Sequence, residues 1–286
     1  AASQKSVAPS TSPLSSDDIL GKAALEATLE ALLQDTILDV SRIGVDVFNL
    51  DTREVVYQRD HQKLFQPAST LKLYSSALAL QTLGPEFRFV TRVAVDSATA
   101  VSDTLRGDIY LIGGGDPSLE TGDLTQLAAS LSSLGIRVVA GDLVCDDSRF
   151  DDLRYGEGWM WDDQPFYFVP PLSALSVNRN VVELFTAPGD SLSQPARIRM
   201  LPQNDVLQIN NLSTTIDSAA YYAAIEDSTQ ELESIQIRRR WRTQENVLDV
   251  KGHILIDANE RRSIQNIVKP TLFTGELFKS VSQDAG

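Results

Sequence analysis

The chain has 286 residues, 42% of them hydrophobic and 22% charged, with a formal net charge of −14. Such a chain buries a core in one large or several small domains, which excludes an intrinsically disordered protein. Its acidic balance repels phosphate backbones, so no nucleic acid partner is expected, and no apolar run approaches the roughly 20 residues that cross a bilayer, so no transmembrane segment is expected.

Residues 1–16 open with Ala1-Ala2-Ser3 and run Ser/Pro-rich to Ser16. They read as a flexible leader, either the polar start of an exported chain whose signal has been removed or an ordinary terminus. Asp17-Asp18 opens a helix in which Leu20, Ala24, Leu29, Leu32 and Leu33 recur at helical spacing. Residues 44–50 and 54–58 alternate as two strands around an Asp51-Thr52 turn, which predicts a β-hairpin. Pro67-Ala68 precedes a second helix over 69–83, closed by Gly84-Pro85. Strands follow near 88–95 and 107–112, then a helix over 123–134 and a strand over 136–144. Residues 146–172, rich in Asp, Gly, Pro and aromatics, read as a long irregular loop. Residues 173–258 read as mainly β, and a last helix runs from Pro270 toward 284.

The single cysteine, Cys145, follows Leu143-Val144, forms no intrachain disulfide and reads as a small buried hydrophobe. His61 and His253 lie far apart without ligand-like spacing, so neither a zinc site nor a Ser-His-Asp triad is read.

The segment that points to chemistry is Gln66-Pro67-Ala68-Ser69-Thr70-Leu71-Lys72. Ser69 and Lys72 are three residues apart at a helix start, so their side chains share a face. Free N–H groups and positive potential gather at such a terminus. A serine hydroxyl is a weak nucleophile that needs a base, and a lysine serves as one where burial and neighbouring positive charge lower its pKa. The spacing suits a Ser-Lys acyl-transfer centre. It also suits a helix-capping serine beside a solvated lysine.

Ser-x-x-Lys is the nucleophile motif of β-lactamases and penicillin-binding proteins. The run Phe65–Lys72, followed by Leu83-Gly84-Pro85-Glu86-Phe87-Arg88-Phe89, resembles the nucleophile segment of the class C low-molecular-mass penicillin-binding proteins, the D-alanyl-D-alanine carboxypeptidase/endopeptidase kind. Leu111-Ile112-Gly113-Gly114-Gly115-Asp116-Pro117, Asp146-Asp147-Ser148-Arg149-Phe150-Asp151, Gly158-Trp159-Met160-Trp161-Asp162-Asp163 and Ser173-Ala174-Leu175 agree in order, over about residues 17–286. The glycine run reads as a tight turn in unusual backbone conformations, not as a phosphate loop. The Trp159–Asp163 stretch reads as a structural aromatic anchor or as a sugar-binding surface.

The resemblance implies an α/β (α+β) chain: the first part of a penicillin-binding/transpeptidase-like catalytic domain, with nested, largely β inserted domains. It implies a catalytic part at 17–86, a first inserted domain at 87–172 with 248–286, and a second, β-rich one at 173–247. It implies that Ser69 is the acyl-enzyme nucleophile and Lys72 its proton acceptor, on peptidoglycan peptides, with β-lactams as covalent inhibitors. No metal or organic cofactor is implied, and the location is exported, periplasmic or cell-envelope. The family also uses a Ser-x-Asn and a Lys-Thr-Gly motif. Lys-Thr-Gly does not occur, and the Ser-x-Asn at Ser176-Val177-Asn178 precedes the place the family gives it. The expectation is therefore a chain that stops before the catalytic domain resumes. A non-catalytic cell-wall or protein-binding homologue, an inactive fragment and an unrelated α/β domain remain as other readings. Without the strands expected downstream, Leu71, Leu73, Leu78 and Leu80 should be exposed and 17–86 poorly stable alone, unless a second chain supplies the rest.

Overall fold

The computed structural model describes residues 16–96, 100–226 and 233–284. The expected leader at 1–16 lies outside the described residues except for Ser16. Helices and strands are mixed throughout, and the chain divides into two compact units, up to Phe87 and from Arg88 onward.

The first unit begins with α1, Ser16–Leu33, followed by β1, Val45–Asn49, and β2, Glu54–Arg59. The two strands form the expected antiparallel hairpin, pairing Val47 with Tyr57, with a register shift between Val47 and Phe48. The Asn49 side chain starts the turn by accepting the N–H groups of Asp51 (2.9 Å) and Thr52 (3.0 Å). Helix α1 is tied to the hairpin by polar contacts. The Tyr57 hydroxyl donates to Glu30 at 2.6 Å and Lys22 Nζ donates to the Val55 carbonyl at 3.0 Å. The second helix, α2, spans Leu71–Leu83 and is preceded by a 3-10 turn over Ala68–Thr70. The expected single helix over 69–83 therefore starts as a tighter turn, because Ala68 takes a φ of +44°, outside the α-helical region. Gly84, at φ +81°, ends α2, its N–H donating to the Leu80 carbonyl at 3.0 Å.

The second unit opens with β3, Arg92–Val95, β4, Ala100–Val101, β5, Thr104–Leu105, and β6, Ile109–Ile112. Then come α3, Thr121–Ser133, β7, Val138–Val139, and β8, Leu143–Asp146. Two sheets result, in the orders β3-β6-β8 and β4-β5-β7, with β6/β8 and β5/β7 parallel. The strand expected over 136–144 is thus two strands in two different sheets. The break falls at Gly141, where a Cβ would stand 2.4 Å from the Gly107 carbonyl oxygen. The glycine run after β6 is equally crowded: a Cβ on Gly114 would meet the Val90 oxygen at 2.2 Å, and Gly115 has φ +76°.

The β-rich stretch continues as β9, Val181–Ala187, β10, Arg197–Leu201, β11, Gln208–Asn211, and β12, Thr214–Ile216. A helix that the sequence reading missed, α4, Ser218–Glu226, follows. Its Ser-Ala-Ala-Tyr-Tyr-Ala-Ala run has good helix propensity, and Asp217 caps it by accepting the Ala220 N–H at 2.7 Å. The chain then forms β13, Gln236–Arg239, β14, Val247–Lys251, β15, His253–Leu255, β16, Arg261–Asn266, and α5, Pro270–Asp284. The sheets are β10-β9-β16, β11-β14-β13 and β12-β15. Strand β9 shows period-2 burial, with Val182, Leu184 and Thr186 inward.

One core joins these elements. Leu105, Leu111, Leu124, Leu184, Leu248, Ile267, Phe273 and Phe278 all belong to it. Helix α5 packs on α3 and β8, closely enough that a Cβ on Gly275 would lie 2.5 Å from Cys145 Sγ. Cys145 is half-buried rather than fully buried, because β8 is an edge strand beside a groove of about 1610 Å³ that α5 also lines. Burial, then the nearby Glu276 and Asp147 charges, push its thiol up to about 11.

Candidate active site

Ser69 sits in the 3-10 turn and Lys72 in the first turn of α2. Lys72 Nζ donates to Ser69 Oγ at 2.9 Å, so the expected pair is in contact, and both side chains are exposed. The turn beneath them is held by Thr70. Its N–H donates to the Pro67 carbonyl at 3.0 Å, and its hydroxyl donates to the same oxygen. The serine is therefore at no N-cap with a side-chain capping bond. Its hydroxyl meets the lysine instead.

The Ser176-Val177-Asn178 match does other work. Asn178 Oδ1 accepts the Thr121 N–H at 3.1 Å, and its Nδ2 donates to Thr121 Oγ1 at 2.8 Å, which holds the start of α3. Ser176 Oγ donates to the Ser173 carbonyl at 2.9 Å and accepts from Asn180 at 3.0 Å. These groups are occupied in joining loops of their own unit.

The Asp146–Asp151 stretch is also a structural junction. Asp147 Oδ2 accepts from Arg154 at 2.9 Å, from Ser173 at 3.1 Å and from the Thr271 hydroxyl. Burial pushes its carboxyl up, but the bonds from Thr271 and Arg154, with the Arg154 charge, outweigh this and hold it below its ordinary value.

In the Trp159–Asp163 stretch the rings are not buried. Trp159 is 44% and Trp161 63% exposed, and Trp161 meets Trp241 with centroids 4.9 Å apart. The anchors are polar. Buried Arg239 donates to the Gln164 carbonyl at 2.7 Å and to Asn266 Oδ1 at 3.0 Å. Asn266 Nδ2 in turn serves the carbonyls of Gln164, Phe166 and Val169, at 2.9, 2.8 and 3.1 Å. Neither Arg239 nor Asn266 was expected from the sequence. An arginine inside Ile237-Arg238-Arg239-Arg240 carries no signal of which way it points. Among the described residues, no cluster of three or more His, Cys, Asp or Glu side chains is placed to hold a metal ion. No described helix is long and apolar enough to cross a membrane.

A serine and a lysine in contact at a helix start, on a mixed helix–strand frame, have the arrangement that a serine acyl-transfer site requires. The profile of the D-Ala-D-Ala carboxypeptidase 3 (S13) family matches residues 25–286, and the chain belongs to that family. A D-alanyl-D-alanine carboxypeptidase of Actinomadura sp. (strain R39) is 30% identical over 268 residues, covering 92% of this chain and 47% of the relative. The D-alanyl-D-alanine carboxypeptidase DacB of Haemophilus influenzae is 29% identical over 158 residues, 55% of this chain and 32% of that protein. The crystal structure of penicillin binding protein 4 (dacB) from Haemophilus influenzae shares the fold, with TM-score 0.66 at 22% identity over 85% of this chain and 51% of that one. A second structure of that protein, complexed with a novel β-lactam, matches with TM-score 0.59 at 19% identity. The chain spans about half the length of the relatives it matches over most of its own length.

Proposed function

We propose that this protein is a serine-type D-alanyl-D-alanine carboxypeptidase/endopeptidase acting on peptidoglycan peptides. The observation that carries the reading is the 2.9 Å contact between Lys72 Nζ and Ser69 Oγ at the head of α2. In this reading Lys72 Nζ takes the Ser69 proton as Oγ attacks the carbonyl of the scissile D-Ala-D-Ala bond. The C–N bond breaks, the leaving amine receives the proton, and the acyl group stays on Ser69 as an ester that water then hydrolyses. A β-lactam follows the first half: its ring amide opens and the acyl group remains on Ser69. The family of the chain supports the substrate class, and the names of the Actinomadura and Haemophilus relatives support the activity. In this reading the protein is exported and acts in the periplasm or cell envelope. In the same reading, 17–86 belong to the catalytic domain, 87–172 with 248–286 to a first inserted domain, and 173–247 to a nested one. The division of the chain after Phe87 supports the first boundary.

The test is release of D-alanine from a peptide ending in D-Ala-D-Ala. The reading expects release by the wild-type chain and none above background from Ser69→Ala or Lys72→Ala. Equal release from wild type and Ser69→Ala would overturn it.

A further inference from the structure

We infer that Thr70 is a positioning residue for the Ser69 nucleophile, an inference that rests on the role of Ser69 proposed above. Ala68, directly before Ser69, has a φ of +44°. A residue with a Cβ is disfavoured there, so something must hold it. The Pro67 carbonyl opens the peptide unit that leads into Ala68, and Thr70 grips that oxygen twice, through its N–H at 3.0 Å and through its hydroxyl. Any residue but proline at 70 supplies the first bond. Only a hydroxyl residue supplies the second. Two donors from one residue fix the carbonyl's direction, and with it the plane of the Pro67–Ala68 peptide.

The consequence reaches Ser69 through the backbone. Lys72 is carried by α2, which begins at Leu71, whose N–H donates to the carbonyls of Ala68 and Ser69. Ser69 belongs to the tighter turn before it. The 2.9 Å contact between the two side chains therefore spans the join between turn and helix. Thr70 is the residue at that join. Without its hydroxyl, Ala68 relaxes toward negative φ and swings Ser69 relative to a lysine that stays with the helix. Thr70 is exposed, so its hydroxyl bond competes with water and adds little to global stability. Its effect falls on geometry.

The experiment compares wild type, Thr70→Val and Thr70→Ser in the full chain. The rate of Ser69 acylation by benzylpenicillin is measured, together with thermal midpoints and the NMR couplings that report φ at Ala68. Thr70→Val should acylate about 10- to 100-fold more slowly, the scale of a small misplacement of a reacting group. Its thermal midpoint should stay near that of wild type, and its Ala68 should leave the left-handed region. Thr70→Ser keeps the donor and should recover most of the rate. Wild-type acylation by Thr70→Val, or a Thr70→Ser variant as slow as Thr70→Val, would overturn the inference. If even the wild-type chain is not acylated, the proposed role of Ser69 fails by itself. The couplings still decide about Thr70: an Ala68 that stays left-handed in Thr70→Val overturns the clamp, and one that relaxes supports it.

Discussion

The two units of the chain are built in opposite ways. Up to Phe87, Tyr57 is the only buried residue among the described side chains, while Leu71, Leu73, Leu78 and Leu80 on α2 are 55 to 72% exposed. From Arg88 onward, one core runs from Leu105 through Leu184 to Phe278. The Ser69–Lys72 pair lies in the unit with almost no core. Under the proposed function, reactivity and stability are carried by separate residues: the chemistry would rest on a local turn and helix start, and the stability rests on non-local packing. A leucine on α2 and a leucine on β9 have the same hydrophobic content and opposite burial.

The largest effect that would sharpen this contrast is loss of a core side chain. Phe273 is fully buried, so Phe273→Ala should cost about 3–5 kcal/mol in denaturant unfolding of the second unit. A cost below about 1 kcal/mol would break the picture of a single dense core. Gly275→Ala comes next. The new Cβ meets Cys145 Sγ, and overpacking of this kind costs about 1–3 kcal/mol. Adding Cys145→Ala removes the clashing sulfur and should return part of that loss; strictly additive costs would contradict direct contact.

A smaller effect is pH-dependent. The Asp147 carboxyl is held below its ordinary value in the folded state. Its contribution is therefore complete above the unfolded pKa of about 3.9 and is lost as pH falls through the lower folded value. The stability gap between wild type and Asp147→Asn, read from denaturation midpoints, should be widest near neutrality and shrink below about pH 4. A gap independent of pH would contradict the junction. The smallest effect lies on α2. Leu73→Gln and Leu80→Gln keep helix propensity on an exposed face, so each should shift stability by no more than about 0.5 kcal/mol. A larger loss would show that these leucines are covered.

What was legible in the sequence follows the same division. The hairpin around Asp51-Thr52, the helix ending at Gly84 and the Ser69–Lys72 contact depend on neighbours a few residues away, and spacing alone reveals them. The exposure of Leu71, Leu73, Leu78 and Leu80 was also expected and is observed. The sequence did not reveal that the 136–144 strand breaks, because Gly141 is required by Gly107, 34 positions earlier in the chain. It did not reveal the Arg239–Asn266 clamp on the aromatic loop, because that bond joins β13 to β16 and the loop. The half-burial of Cys145 depends on its edge strand and on α5, neither of which a local apolar run can report.

The most direct test of the central claim is intact-mass spectrometry of the chain after incubation with benzylpenicillin, beside Ser69→Ala, with peptide mapping of any adduct. One covalent penicilloyl group is expected on the wild-type chain, located at Ser69, and the variant should stay unmodified. A folded wild-type chain that stays unmodified, or an adduct that persists in Ser69→Ala, would contradict that claim.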